Sequence, residues 1–177
     1  MKIVALMGSP RKGSNTDIIL DQILEGAKQK GHISEKIYLY DHNISPCIDC
    51  RQCKRGRYIC VLEDEMKELY LRIERADLLI FGTPIYWYGP TAQMKLLIDR
   101  LRPFIANNKL KGKKGLVVAP SEEGPKACGP LVKMFQMSFE YLEMEFIGKF
   151  LPKAYERGEI KKNQKELKKA FNLGSSL

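Results

Sequence analysis

No stretch of this chain is apolar for long enough to cross a bilayer as a helix. The first apolar run, Met1 to Met7, is too short for a secretory signal and stops at Gly8-Ser9-Pro10. A soluble, cytoplasmic protein with no membrane partner is therefore expected. Histidine is scarce: His32 and His42 are the whole complement, in turn-like contexts without the Ser, Cys or carboxylate constellation of a hydrolase. The G-x-x-x-x-G-K-[ST] spacing of a P-loop and the G-x-G-x-x-G of a dinucleotide fold are both absent. Neither an internal repeat nor a low-complexity segment interrupts the 177 residues. Residues 1–177 read as one domain, long enough to bury a core without disulfides.

Acidic residues are outnumbered, 21 against 30 Lys and Arg, which leaves a formal charge of +9. Such a balance suits nucleic acid, acidic protein partners or anionic cofactors. No nucleic-acid motif accompanies it. The runs Lys109 to Lys114 and Lys161 to Lys165 read as solvated faces, so nucleic acid is not expected as a partner.

Cysteine, by contrast, is concentrated. Four of five fall within fourteen residues, at Cys47, Cys50, Cys53 and Cys60, spaced C-x2-C-x2-C-x6-C. Core cysteines scatter along strands and helices as small apolar residues, whereas these sit in a basic, polar loop of about residues 41–62. Clustered thiols in such a chain indicate metal or redox chemistry in a reducing compartment. Soft thiolates select zinc or iron–sulfur clusters, and three cysteines at two-residue intervals open a bacterial ferredoxin-type run. Zinc sites more often pair C-x2-C with a distant second pair. Spacing alone leaves a redox-active thiol loop, or cysteines that have lost their cluster, as alternatives. Cys128 reads as a packed residue rather than a fifth ligand.

Short apolar runs alternate with helical periodicity. Strands are expected at Lys2–Met7, Ile37–Tyr40, Asp77–Phe81, Gly115–Ala119 and Glu145–Ile147. Helices are expected at Asn15–Lys30, Asp64–Arg75, Thr91–Phe104, Ala127–Leu142 and Glu159–Phe171. This alternation implies an α/β protein with a five-stranded parallel sheet covered on both faces. The flavodoxin-like strand order 2-1-3-4-5 fits, with its ligand at the carboxyl ends of strands one and three.

The loops at that edge carry the chemistry. Gly8-Ser9-Pro10-Arg11-Lys12-Gly13-Ser14-Asn15-Thr16 offers hydroxyls at Ser9, Ser14 and Thr16, the Asn15 amide, the Arg11 charge and free N–H groups at a helix start. These suit a phosphate monoester, although a plain helix cap at Ser14 or Asn15 would look similar. After strand three, Pro84-Ile85-Tyr86-Trp87-Tyr88-Gly89-Pro90 places three aromatics in a row between prolines. A rigid aromatic loop suits a planar ligand, while Tyr86 and Trp87 could equally pack beneath the loop or at a dimer contact. A third loop, Pro120 to Pro125, holds Ser121 and Gly124 at the same edge. Asp99 and Arg100 read as an internal ion pair or helix packing.

Gly8 to Arg11 with Ser14-Asn15-Thr16, the Cys47–Cys60 run, Asp64-Glu65-Met66, Gly82 to Trp87, and Lys95-x-x-x-Asp99-Arg100 together resemble the NADPH-dependent FMN reductase group. Within it they look most like the iron–sulfur flavoproteins. The motifs run from Met1 to about Arg102, with length and element order matching beyond. The resemblance implies a flavodoxin-like fold and FMN bound by Ser9, Arg11, Ser14, Asn15 and Thr16 on the first loop. Pro84, Ile85, Tyr86 and Trp87 would meet the ring, with Ser121 and Gly124 closing the other side. It implies a [4Fe-4S] cluster on Cys47, Cys50, Cys53 and Cys60, in a homodimer or homotetramer where one subunit's cluster serves a neighbour's flavin. The expected function is a flavin-dependent oxidoreductase passing electrons between cluster, FMN and an external donor or acceptor. Ferredoxin or another small carrier would be drawn to Arg51, Lys54, Arg55 and Arg57; NAD(P)H is the other donor. No catalytic acid or base is needed, since the chemistry belongs to the cofactors. The rivals are a cluster-free NAD(P)H-dependent FMN or quinone reductase, a flavodoxin-type carrier and a zinc-stabilised binding protein.

Overall fold

The computed structural model describes residues 1–177. Five parallel strands, β1 (Lys2–Met7), β2 (Ile33–Tyr38), β3 (Leu78–Gly82), β4 (Lys114–Val118) and β5 (Glu145–Phe150), lie in the order β2-β1-β3-β4-β5. Helices α1 (Asn15–Gln29), α2 (Met66–Glu74), α3 (Ala92–Asp99), α4 (Arg102–Asn107), α5 (Gly129–Tyr141) and α6 (Gln164–Ser175) cover the sheet. The central strands are buried on both faces, so their sequences are continuous apolar runs. Alternate residues feed two cores. Val4, Leu6, Leu79 and Phe81 pack with Leu69, Phe135 and Phe139 on one side. Ile3, Ala5, Leu78 and Ile80 pack with Ile19, Ile23 and Ala170 of α1 and α6 on the other.

Several boundaries depart from the sequence expectation for identifiable reasons. β2 begins at Ile33 rather than Ile37: it is an edge strand whose polar Ser34, Glu35 and Lys36 conceal it. The helix expected over Thr91–Phe104 is two helices, because Pro103 in the first turn of α4 has no N–H to continue the ladder. The segment before Gly129 is a 3-10 turn, Gly124–Cys128, and α5 starts only where Pro130 can occupy its first turn. β5 extends to Phe150 rather than Ile147. The terminal helix starts at Gln164, capped by Asn163, after a 3-10 turn at Glu159–Lys162.

At the carboxyl edge, Gly8 is pressed between strands and helix. Its N–H donates to Gly82 O at 2.7 Å, and a Cβ there would stand 2.9 Å from the Met94 Cβ. Only glycine lets the loop after β1 pass this close to the end of β3.

Candidate cofactor cleft and cysteine loop

The loops after β1, β3, β4 and β5 wall an open cleft of about 490 Å³ at the point where strand order reverses. Its floor is the start of α1. Ser14 caps the helix, its Oγ accepting the Asp17 N–H at 3.4 Å. The Asn15 and Thr16 N–H groups, first in the helix, have no protein acceptor and carry the positive end of the helix dipole. The nearly buried Ser9, Ser14 and Thr16 line the same space, together with Arg11. Free N–H groups, hydroxyls and a guanidinium at a helix start suit an anion.

Asp17 shapes that loop from behind. Its carboxylate accepts the Gly13 N–H at 2.7 Å, Lys36 Nζ at 2.5 Å and the Tyr38 hydroxyl at 2.9 Å. Burial alone would raise the Asp17 pKa, but the bonds from Lys36, Gly13 and Tyr38 outweigh it and hold the carboxyl below its usual range. Lys36, bonded also to Asp21 at 2.5 Å, is likewise held above the ordinary lysine value despite its burial.

Asn15 has a different task from a direct ligand. Its Nδ2 donates to Glu156 O at 2.9 Å and its Oδ1 accepts the Ile160 N–H at 3.1 Å. The side chain is thus committed to the loop between β5 and α6, which leaves its backbone N–H as the group free to meet a ligand. Ser121 bridges to the same region: Ser121 N donates to Pro152 O at 3.3 Å, and Ala154 N to Ser121 O at 2.9 Å.

The loop after β3 is fixed by Thr83 and Thr91. Thr91 Oγ1 donates to Gly8 O at 2.5 Å, and Thr91 N donates to Thr83 Oγ1 at 3.1 Å. Tyr86 and Gly89 exchange both backbone hydrogen bonds, with Trp87 and Tyr88 at φ 50° and 62°. That is the I′-like turn normally given to Asn and Gly; holding two aromatics there costs about 1–2 kcal/mol each. Pro84, Ile85 and Tyr86 line the cleft, while Trp87 stands 97% exposed at the tip and does not pack beneath the loop.

The cysteine loop follows β2 and is tied at its neck. Asp64 accepts from Arg100 Nη1 at 2.6 Å, Arg100 Nη2 at 3.0 Å, Ser45 N at 2.9 Å and Met66 N at 3.2 Å, while Arg100 Nη1 also donates to Ser45 O. Both side chains are essentially buried. Within the loop Asp49, Arg51, Gly56 and Tyr58 adopt left-handed backbone. Cys53 is buried, Cys47 and Cys60 are half-buried, and Cys50 is exposed. Burial, reinforced by neighbouring Cys60, pushes the Cys53 thiol up. The donor set has the softness and number a cluster requires, but no three His, Cys, Asp or Glu side chains converge at metal-binding distance. Ligation by all four thiols requires this loop to close further. Cys128 is separate and buried, its thiol donating to Gly124 O at 3.2 Å.

Residues 1–152 match the family model described as NADPH-dependent FMN reductase. The chain belongs to that family. It is a flavin-dependent oxidoreductase with the flavodoxin-like fold. Among its relatives, an iron–sulfur flavoprotein of Methanocaldococcus jannaschii is 30% identical over 186 residues, covering 100% of this chain and 95% of that protein. An iron–sulfur flavoprotein of Archaeoglobus fulgidus is 32% identical over 182 residues, covering 100% and 79%. Among solved structures, the Trp repressor binding protein of Bacillus subtilis superposes with a TM-score of 0.72 at 26% identity, covering 97% of this chain and 96% of that one.

For this FMN reductase family member, the cleft gathers Ser9, Arg11, Ser14, Asn15, Thr16, Pro84, Ile85, Tyr86 and Ser121. Trp87 and Gly124 lie outside its walls. Pro120 and Glu122, in the loop expected at this edge but not singled out there, also line it, and sequence reasoning missed the run Ala154, Tyr155, Glu156, Arg157. The run follows β5, so its carboxyl-edge position was available from topology alone. No helix is long and apolar enough to cross a membrane.

Proposed function

We propose that this oxidoreductase is of the iron–sulfur flavoprotein type, with FMN in the cleft and a [4Fe-4S] cluster on Cys47, Cys50, Cys53 and Cys60. The observation that carries the FMN assignment is the start of α1, where free N–H groups and three nearly buried hydroxyls meet in a cleft walled opposite by Pro84, Ile85 and Tyr86. A phosphate monoester would be held by the Asn15 and Thr16 N–H groups, the Ser9, Ser14 and Thr16 hydroxyls and Arg11. The ring would lie toward residues 84–86 and Ser121. Bound FMN supplies storage of two electrons and release in one- or two-electron steps. The cleft residues would orient the ring, and no side chain is assigned as acid or base.

The thiol count, the spacing and the names of two relatives support the cluster. A cluster there would supply one-electron exchange, with potential set partly by surrounding charge. The external donor is assigned to a small acidic carrier such as ferredoxin, meeting the basic Arg51, Lys54, Arg55 and Arg57, or to NAD(P)H. The assembly this reading carries is a homodimer or homotetramer, with exposed Trp87 and Tyr88 as aromatic surface to cover.

Anaerobic purification followed by a visible spectrum and iron, zinc and flavin analysis tests the reading. Stoichiometric FMN with iron and inorganic sulfide supports it. Flavin without metal favours the cluster-free NAD(P)H-dependent reductase. Metal without flavin sinks the cofactor assignment.

A further inference from the structure

The phosphate end of the cleft is closed from a direction that the first loop does not supply. The segment Ala154 to Gly158, between β5 and α6, folds back over the start of α1 from about 140 residues away in the chain, tied down by many partners. Asn15 grips Glu156 O and Ile160 N. The Glu159 carboxylate accepts the N–H groups of Tyr155 at 2.7 Å and Glu156 at 2.9 Å. Ala154 N donates to Ser121 O at 2.9 Å. Arg157 completes the closure: its Nη2 donates to Lys12 O at 2.6 Å, fixing the guanidinium across the first loop.

Charge makes Arg157 more than a strap. Only Arg11 and Arg157 are cationic among the residues that wall the cleft, against Glu122 and Glu156. Lys12, next in the loop, is unsuited to the task because its Nζ is paired with Asp41 at 2.6 Å and lies over the Tyr38 ring. Arg11 is exposed and makes no side-chain hydrogen bond to the protein. Arg157 is anchored by one of its five N–H donors, which leaves the others to meet an anion in a fixed planar fork. Glu122 and Glu156 also line the cleft, and a second guanidinium would offset their repulsion of a phosphate.

We infer that Arg157 is a second phosphate-binding cation and that residues 154–158 form a prebuilt clasp, latched by Asn15, which makes the cleft select a flavin carrying a 5′-phosphate over one without it. The inference rests on the FMN reading of this cleft. Because the clasp is already bonded to the first loop, little ordering remains when ligand arrives, and the guanidinium acts on the phosphate rather than on the ring.

The test is a titration of the flavin-free full chain with FMN and with riboflavin, followed by flavin fluorescence, for wild type, Arg157→Gln and Arg157→Lys. Arg157→Gln should weaken FMN about 10- to 100-fold, as loss of a charge-assisted hydrogen bond implies, and leave riboflavin within about twofold. Arg157→Lys should recover part of the FMN affinity, since it keeps the charge and loses the fork. FMN affinity unchanged in Arg157→Gln would overturn the inference while leaving the FMN reading intact. An equal loss for both flavins would overturn it too, because the loop would then be only a wall. Wild type that binds FMN no more tightly than riboflavin would defeat the FMN reading and the inference together.

Discussion

At the scale of single residues, the Asp64–Arg100 pair sets a stability test. With both side chains essentially dry, their attraction mainly offsets desolvation, so removing one partner leaves an uncompensated charge. Arg100→Met should therefore lower stability by about 3–5 kcal/mol, read from the urea midpoint. Burial alone would raise the Asp64 pKa, but bonds from Arg100, Ser45 and Met66 hold it below the usual range. A depressed carboxylate contributes stability that is complete above the ordinary carboxylate pKa and is lost as pH falls through the depressed value. The melting temperature should thus fall below about pH 4, and Asp64→Asn should flatten that acid limb. A limb unchanged by Asp64→Asn would assign it to other groups, such as Asp17. Ser14 carries two roles, as helix cap and as phosphate hydroxyl. Ser14→Ala should cost about 1 kcal/mol of stability and, separately, about tenfold in FMN affinity. Loss of stability with full FMN affinity would confine Ser14 to capping. The residues of this site legible in sequence were those whose chemistry is unusual in place: the thiols, and the hydroxyls beside a glycine. Asn15 was legible as polar but not as a latch, because its partners are a backbone carbonyl and N–H that any residue could supply.

Elements were legible where burial writes itself into the sequence. β1, β3 and β4 are buried on both faces and appear as unbroken apolar runs, whereas β2, at the sheet edge with Ser34, Glu35 and Lys36, does not. The α3–α4 break was carried by Pro103, yet the apolar periodicity continues through it. The docking of α6 on α1 depends on two glycines with no visible signature. A Cβ on Gly174 would stand 1.9 Å from Ile23 O, and one on Gly26 would stand 2.1 Å from Phe171 O. These are backbone contacts, so no rotamer change relieves them. Gly174→Ala should push α6 away from α1 and destabilise the protein by about 3 kcal/mol or more, beyond ordinary overpacking. Because the loop 154–158 joins α6 through the 3-10 turn Glu159–Lys162, the same variant should also weaken FMN binding, whereas an exposed control such as Lys168→Ala should change neither. Chemical denaturation and flavin titration on the same samples check both; a Gly174→Ala protein of wild-type stability would mean that the helices can separate without loss.

Over the whole molecule, strand–helix alternation made the topology legible, since parallel strands need crossover helices and five units of this length leave few orders. The arrangement of the four thiols was not legible. Spacing fixes how far apart sulfurs can be, whereas the loop's conformation depends on its neck and on what it binds. This division yields a test in which loop and cleft are separable. Cys47→Ala, Cys50→Ala, Cys53→Ala and Cys60→Ala should each remove or weaken iron retention in anaerobically prepared protein while leaving FMN bound, because the phosphate loop and its clasp belong to other elements. Cys128→Ala should do neither, since its thiol is buried against the Gly124 carbonyl. Iron content and flavin content on the same preparations measure the two independently. The basic surface of the loop adds a kinetic arm: reduction by an acidic ferredoxin should slow steeply with salt, because screening shortens the field to about 8 Å at physiological ionic strength. Brisk NADPH oxidation by iron-free protein, with ferredoxin inert at every salt concentration, would instead place the chain among reductases that work by flavin alone and leave the thiol loop without a cluster.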